Sequence, residues 1–121
     1  MFTILFLAAA AAAVAPVPEC SAAKAKPVTF RYVEANAGEA PGECVRITGY
    51  LLDTSLHLSK AVARSKDDPD WRTIGLEGSI KTSKVIKRVT VYGRVQDCGY
   101  FMTPSYCHYV GGAVIREARI Q

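Results

Sequence analysis

Cys44-Val45-Arg46-Ile47-Thr48-Gly49-Tyr50-Leu51-Leu52 alternates apolar with polar residues around a central glycine. Val89-Thr90-Val91-Tyr92-Gly93-Arg94-Val95-Gln96-Asp97-Cys98 repeats that design in the second half of the chain. A period of two belongs to a strand with one buried face. Val45, Ile47, Gly49 and Leu51 then share one side, and Arg46, Thr48 and Tyr50 the other; Val89, Val91, Gly93 and Val95 share a side in the second stretch. A glycine inside a strand permits sharp coiling. Antiparallel pairing of the two stretches brings Cys44 and Cys98 to the same end of a sheet. The pattern predicts a small, curved, cysteine-bearing β-barrel.

Three further strands follow from the same reasoning. Leu56–Val62 alternates with Leu56, Leu58 and Val62 inward, which leaves His57 facing solvent. Trp71–Leu76 is a strand after the charged loop Arg64–Asp70, where Pro69 lacks a ladder donor and Asp and Ser favour turns. Ala113–Ile120 is the last strand, with Val114, Ala118 and Ile120 inward and a bulge where Arg116 breaks the alternation. Ser79–Ile86 reads as one short helix, with Ser79 as N-cap and Ile80, Val85 and Ile86 at roughly helical spacing. Val28–Val33 is either a short extended segment or a short helix running on through Asn36, and Ala37–Gly42 is a turn.

The expected class is all-β with one short helix: a five-stranded Greek-key barrel with the helix between its third and fourth strands. The chain resembles bacterial exported OB-fold proteins over Glu43–Ile120. The resemblance rests on Val45-x-Ile47-x-Gly49, on Val89-x-Val91-x-Gly93-x-Val95 and on the order of elements, with Gly99-Tyr100…Tyr106-Cys107-His108-Tyr109-x-Gly111-Gly112 as a closing segment. It implies a barrel and export, and brings no catalytic residues. An SH3-like barrel or a small open sandwich is the other fold that fits.

Length allows one domain in 121 residues. Met1–Ala23 opens on Phe2, Ile4, Leu5, Phe6 and Leu7, continues through alanines and ends in small residues. That is the pattern of a secretory signal peptide, although its start carries no Lys or Arg. Ala13 and Ala15 are rival cleavage points within it. The continuous apolar run ends at Pro16, short of the ~20 residues a membrane span needs. The division expected is therefore a signal peptide at 1–23, an extension at 24–42 and a barrel at 43–121, with the mature protein periplasmic or secreted, monomeric and without a transmembrane segment. Lipid attachment at Cys20 fits poorly, because Val17-Pro18-Glu19 precedes it.

Removal of residues 1–23 leaves Cys44, Cys98 and Cys107, an odd number that export would oxidise. A Cys98–Cys107 bridge closes a tight loop worth roughly 2.7 kcal/mol, and Cys44–Cys98 a long one worth roughly 4 kcal/mol. The first is preferred because it pins a Gly/Pro-rich excursion; Cys44 is the alternative partner. Cys44, Cys98, Cys107 and His108 are the right donors for zinc but lack paired knuckle spacing. Cys107 and His108 are adjacent and so point to opposite faces of a strand, which argues against thiol catalysis.

Net charge is +4. Binding candidates are the rings Tyr100, Phe101, Tyr106 and Tyr109, which suit stacking on sugars or bases, and the cations Lys60, Arg64 and Arg72 near the second and third strands. A second basic group, Lys81, Lys84, Lys87 and Arg88, lies near the expected helix. Single-strand binders interleave cations with aromatic rings, and strands two and three offer only Trp71. No phosphate loop, GxSxG, H-E-x-x-H or carboxylate pair is present. Asp67, Asp68 and Asp70 read as a turn. The expected function is a non-enzymatic binding or envelope-accessory module for a polyanion, a glycan or a protein partner, without cofactor or metal. The alternatives are a metal- or thiol-dependent role for Cys98, Cys107 and His108, and single-stranded nucleic-acid binding.

Overall fold

A computed structural model describes residues 18–38, 41–97 and 113–121. In chain order these form β1 (Lys26–Pro27), α1 (Phe30–Asn36), β2 (Cys44–Asp53), β3 (Ser55–His57), α2 (Lys60–Arg64), β4 (Thr73–Gly78), β5 (Ser83–Asp97) and β6 (Ala113–Ile120). The sheet runs β1-β2-β3-β4-β6-β5, and β5 returns to pair with β2. Five strands, β2 to β6, thus close on themselves. All their pairings are antiparallel except β4 with β6. This is the all-β, OB-like Greek-key barrel that the alternating stretches predict.

The alternation reaches the core as expected. Val45, Ile47, Leu51, Val91 and Val95 are buried, and Val89 packs against them. Leu56, Ile74, Leu76, Ile115 and Ala118 complete the interior. Gly49 and Gly93 are buried where strands approach closely: a Cβ on Gly93 would stand 2.6 Å from the Arg116 carbonyl oxygen. Gly93 lies between Tyr92, paired with Arg119, and Arg94, paired with Arg116. It therefore faces two residues, Glu117 and Ala118, across a β-bulge, and Glu117 takes a φ of 53° there. The bulge expected beside Arg116 is present.

Three local expectations are corrected and one open choice is settled. Ser79–Ile86 is not a helix: β5 begins at Ser83, and Lys87, Arg88 and Val89 pair with Leu51, Tyr50 and Gly49. The run Val85-Ile86 is β-branched, and its extension along β2 outweighs a helix with no strong first turn. Among the described residues two short helices, α1 and α2, occur instead. The expected strand Leu56–Val62 stops at His57, because Ser59 caps α2 by accepting from the Val62 N–H at 3.2 Å. Leu58 and Ile120, expected inward, are each 42% exposed. The open choice at Val28–Val33 resolves as helix: Thr29 Oγ1 accepts from the Tyr32 N–H at 3.1 Å, and Phe30 and Val33 enter the core.

The disulfide is the largest correction. Cys44 is bonded to Cys20, with Cα atoms 5.4 Å apart, so the Cys44–Cys98 alternative is overturned. Cys44 opens β2 on its outward side. A turn in which Lys24 and Ala25 donate to the Ser21 carbonyl brings Cys20 to it. This bond also removes Cys44 from the four-ligand zinc set and occupies the Cys20 sulfur that lipid attachment would need. Cys98, Cys107 and His108 lie outside the described residues.

Candidate functional site

The predicted cations divide by what holds them. Lys60 and Arg64 are exposed at the two ends of α2. Arg72 is neutralised by Asp70: its Nε and Nη2 donate to both carboxylate oxygens at 2.8–3.1 Å. That fork holds the Asp70 carboxyl below its ordinary range and raises the guanidinium. Trp71 is covered by the Arg31 guanidinium, 3.6 Å from the ring centre. On the barrel side carrying α2 and β4, then, Arg72 is engaged, whereas Lys60 and Arg64 have no carboxylate within salt-bridge distance among the described residues. Tyr100, Phe101, Tyr106 and Tyr109 lie outside the described residues.

His57 is half-buried rather than solvent-facing, with Nδ1 3.2 Å from Thr73 Oγ1. Burial lowers its pKa, and Asp53 only partly offsets this. A histidine with a depressed folded pKa contributes no penalty above about pH 6.5, where both states are neutral. As pH falls below that value the unfolded chain takes up the proton first, and stability is lost down through the folded pKa. A urea titration at pH 7.5, 6.5 and 5.5 checks this: wild type weakens across the series by more than His57→Gln.

A different surface gathers cations and rings. The outward positions of β2, β5 and β6 stand in rows fixed by register. Arg46 pairs with Tyr92, which pairs with Arg119. Thr48 pairs with Thr90, their hydroxyl oxygens 2.7 Å apart, and Tyr50 pairs with Arg88. Adjacent strands are about 4.8 Å apart, so Arg46 and Arg119 flank Tyr92 at roughly 10 Å separation. Tyr50 and Tyr92 are half-buried, and a tyrosine in that setting offers both flat apolar area and a hydroxyl.

Neighbouring cations are already engaged. Lys26 donates to Tyr32 Oη at 3.1 Å and lies 3.8 Å from Glu43; these partners raise its pKa, Tyr32 most. Lys84 is held by Asp53 at 2.8 Å, which likewise raises it. Arg94 donates to the carbonyls of Gly42 and Pro18, and Arg116 stands 3.4 Å from Glu77. Among the described residues, Arg46, Arg88 and Arg119 have no carboxylate within salt-bridge distance.

Of these residues only Arg88 stands in a basic group evident from the sequence; Arg46, Tyr50, Tyr92 and Arg119 belong to no cluster of charge or rings there. Their signal is the same alternation that predicts the core, since the polar half of each stretch must share one outer face. What sequence alone does not supply is the register that sets Arg46, Tyr92 and Arg119 side by side. Among the described residues no helix is long and apolar enough to cross a membrane. Comparison of the chain with protein-family models, with curated proteins and with solved structures found no match in any of the three.

Proposed function

We propose that this protein is an exported, non-enzymatic binding module that recognises an acidic polysaccharide through the outward face of β2, β5 and β6. The observation that carries this reading is the row Arg46–Tyr92–Arg119: two cations without carboxylate partners on either side of a tyrosine ring. A sugar ring stacks on tyrosine, and its acidic substituents reach flanking guanidinium groups. The leader-like apolar run Phe2–Ala15, which ends before Cys20, and the Cys20–Cys44 disulfide support export, where such polymers are met more often than nucleic acid.

The test uses dextran sulfate, neutral dextran and a thymidine oligonucleotide of matched charge. Dextran sulfate binds, and its affinity drops at least about fortyfold between about 50 and 200 mM salt if three arginines each release a counterion. Arg46→Gln, Arg88→Gln and Arg119→Gln together flatten that salt dependence and leave the thermal unfolding midpoint unchanged. Salt-independent affinity, or a triple variant that binds like wild type, would sink the proposal. Tighter binding of the oligonucleotide would transfer the face to single-stranded nucleic acid.

A further inference from the structure

We infer that a notch beside Arg46 receives the acetamido group of an N-acetylated amino sugar, which narrows the ligand of this face to an acidic polysaccharide containing such sugars. This inference rests on the reading of the face as a glycan surface. The notch itself is a gap in the sheet. Along one edge β2 is paired with β5 without a break from Cys44 to Leu51. Along the other edge it meets β1 at Val45 and Arg46 and β3 at Tyr50 to Leu52, with nothing between.

Hydrogen-bond parity shows what the gap exposes. The Val95 N–H donates to the Glu43 carbonyl at 3.0 Å, so odd-numbered β2 residues are the bonded partners of β5. Even-numbered residues turn their amides to the other edge. There the Arg46 carbonyl accepts from the Val28 N–H at 3.0 Å, and Tyr50 faces His57. Thr48 lies between them. Among the described residues no backbone group takes the Thr48 N–H or C=O.

The walls of the gap are apolar. Val28, Phe30, Ile47 and Leu58 line a notch of about 320 Å³ together with Arg46 and Thr48. Leu58 is 42% exposed there, the outlier among the leucines expected inside. An acetamido group matches this chemistry. Its methyl lies against Val28, Phe30 and Leu58, its carbonyl accepts from the Thr48 N–H, and a ring hydroxyl donates to the Thr48 carbonyl. Arg46 then meets an acidic substituent on the same or the next sugar, so the notch and the arginine–tyrosine rows read one continuous polymer.

The experiment compares chondroitin sulfate, which carries N-acetylated amino sugars, with dextran sulfate, which carries no amide, at matched charge and salt. The wild type prefers chondroitin sulfate by about tenfold or more, the scale of one or two satisfied backbone hydrogen bonds with methyl burial. Leu58→Ser removes this preference while dextran sulfate binding stays within about twofold, because the change takes away apolar surface and adds no charge beside Arg46. Free N-acetylglucosamine shifts the Thr48 amide resonance of wild type, and glucosamine does not. Equal affinity for both polymers, with Leu58→Ser silent, overturns the notch and leaves the face standing; no binding of either polymer overturns both. Displacement of chondroitin sulfate by a neutral extended peptide, without a response to N-acetylglucosamine, would assign the gap to a protein strand and also overturn the inference.

Discussion

Replacing Cys20 and Cys44 together by alanine lowers the unfolding free energy by about 3.5 kcal/mol, the chain-entropy value for cysteines 24 residues apart. In a domain of this size that moves the thermal midpoint down by roughly 15–25 °C. The bridge is the covalent anchor of the segment before β1. That segment is otherwise held by the turn at Ser21, by the buried Ala25, by the two-residue pairing of β1 with β2 and by the bond from Arg94 to the Pro18 carbonyl. Each of these is short-range and individually worth little. The double variant, rather than added reductant, is the correct comparison, because reductant would also reach Cys98 and Cys107. A midpoint within a few degrees of wild type would mean that the segment docks without its bridge.

The same bond carries a consequence for processing. A leader removed after Ala23 would take Cys20 with it, whereas cleavage at Ala13 or Ala15 retains it. The retained cysteine makes the number in the mature chain even, so Cys98 and Cys107 become each other's available partners. Intact-mass measurement of exported protein is expected to find an N-terminus upstream of Cys20 and no free thiol. A mature chain beginning at Lys24 would show that the Cys20–Cys44 bridge is absent from the exported form.

The parts of the fold legible in the sequence are those where one face of a strand is wholly buried. Val45, Ile47, Gly49 and Leu51 repeat every second residue because every second residue enters the barrel. The misread segment, Ser79–Ile86, lies where this condition fails. The first half of β5 runs past the barrel as a ribbon beside β2, and Lys84, Val85, Lys87 and Arg88 are all exposed, so both faces are wet and the period is lost. Val85, at 74% exposure, counts as apolar in any pattern but stands largely in solvent. Leu58 fails similarly, since the capping of α2 by Ser59 ends the strand before the leucine can turn inward. The bridge at Cys20 was hidden because a leader-like composition and a docked segment look alike until register is known. For the candidate face, alternation supplied the residue types and only the barrel's closure supplied their adjacency.

Gly93→Ala is expected to cost about 3 kcal/mol, the upper part of the range for overpacking a close-fitted interior. A methyl at this position would stand 2.6 Å from both the Arg116 carbonyl oxygen and Ile115 Cγ2, and 3.2 Å from the Ala118 Cα. Two of these three atoms are backbone, so no rotamer change relieves the contact and β6 must move. Gly38→Ala supplies the control: nothing lies within 4 Å of a Cβ there, and that change is expected to be neutral or slightly stabilising. The displacement of β6 also has a functional reading. Gly93 sits opposite the bulge that advances β6 from the Arg94–Arg116 pair to the Tyr92–Arg119 pair. If β6 slides, Arg119 leaves its place beside Tyr92 and the central row of the binding face comes apart. Gly93→Ala should therefore weaken dextran sulfate binding at a temperature where the variant remains folded, whereas a destabilising change on the far side, such as Leu56→Ala, should not. Matched losses of binding in both variants would show that binding follows global stability rather than the register between β5 and β6.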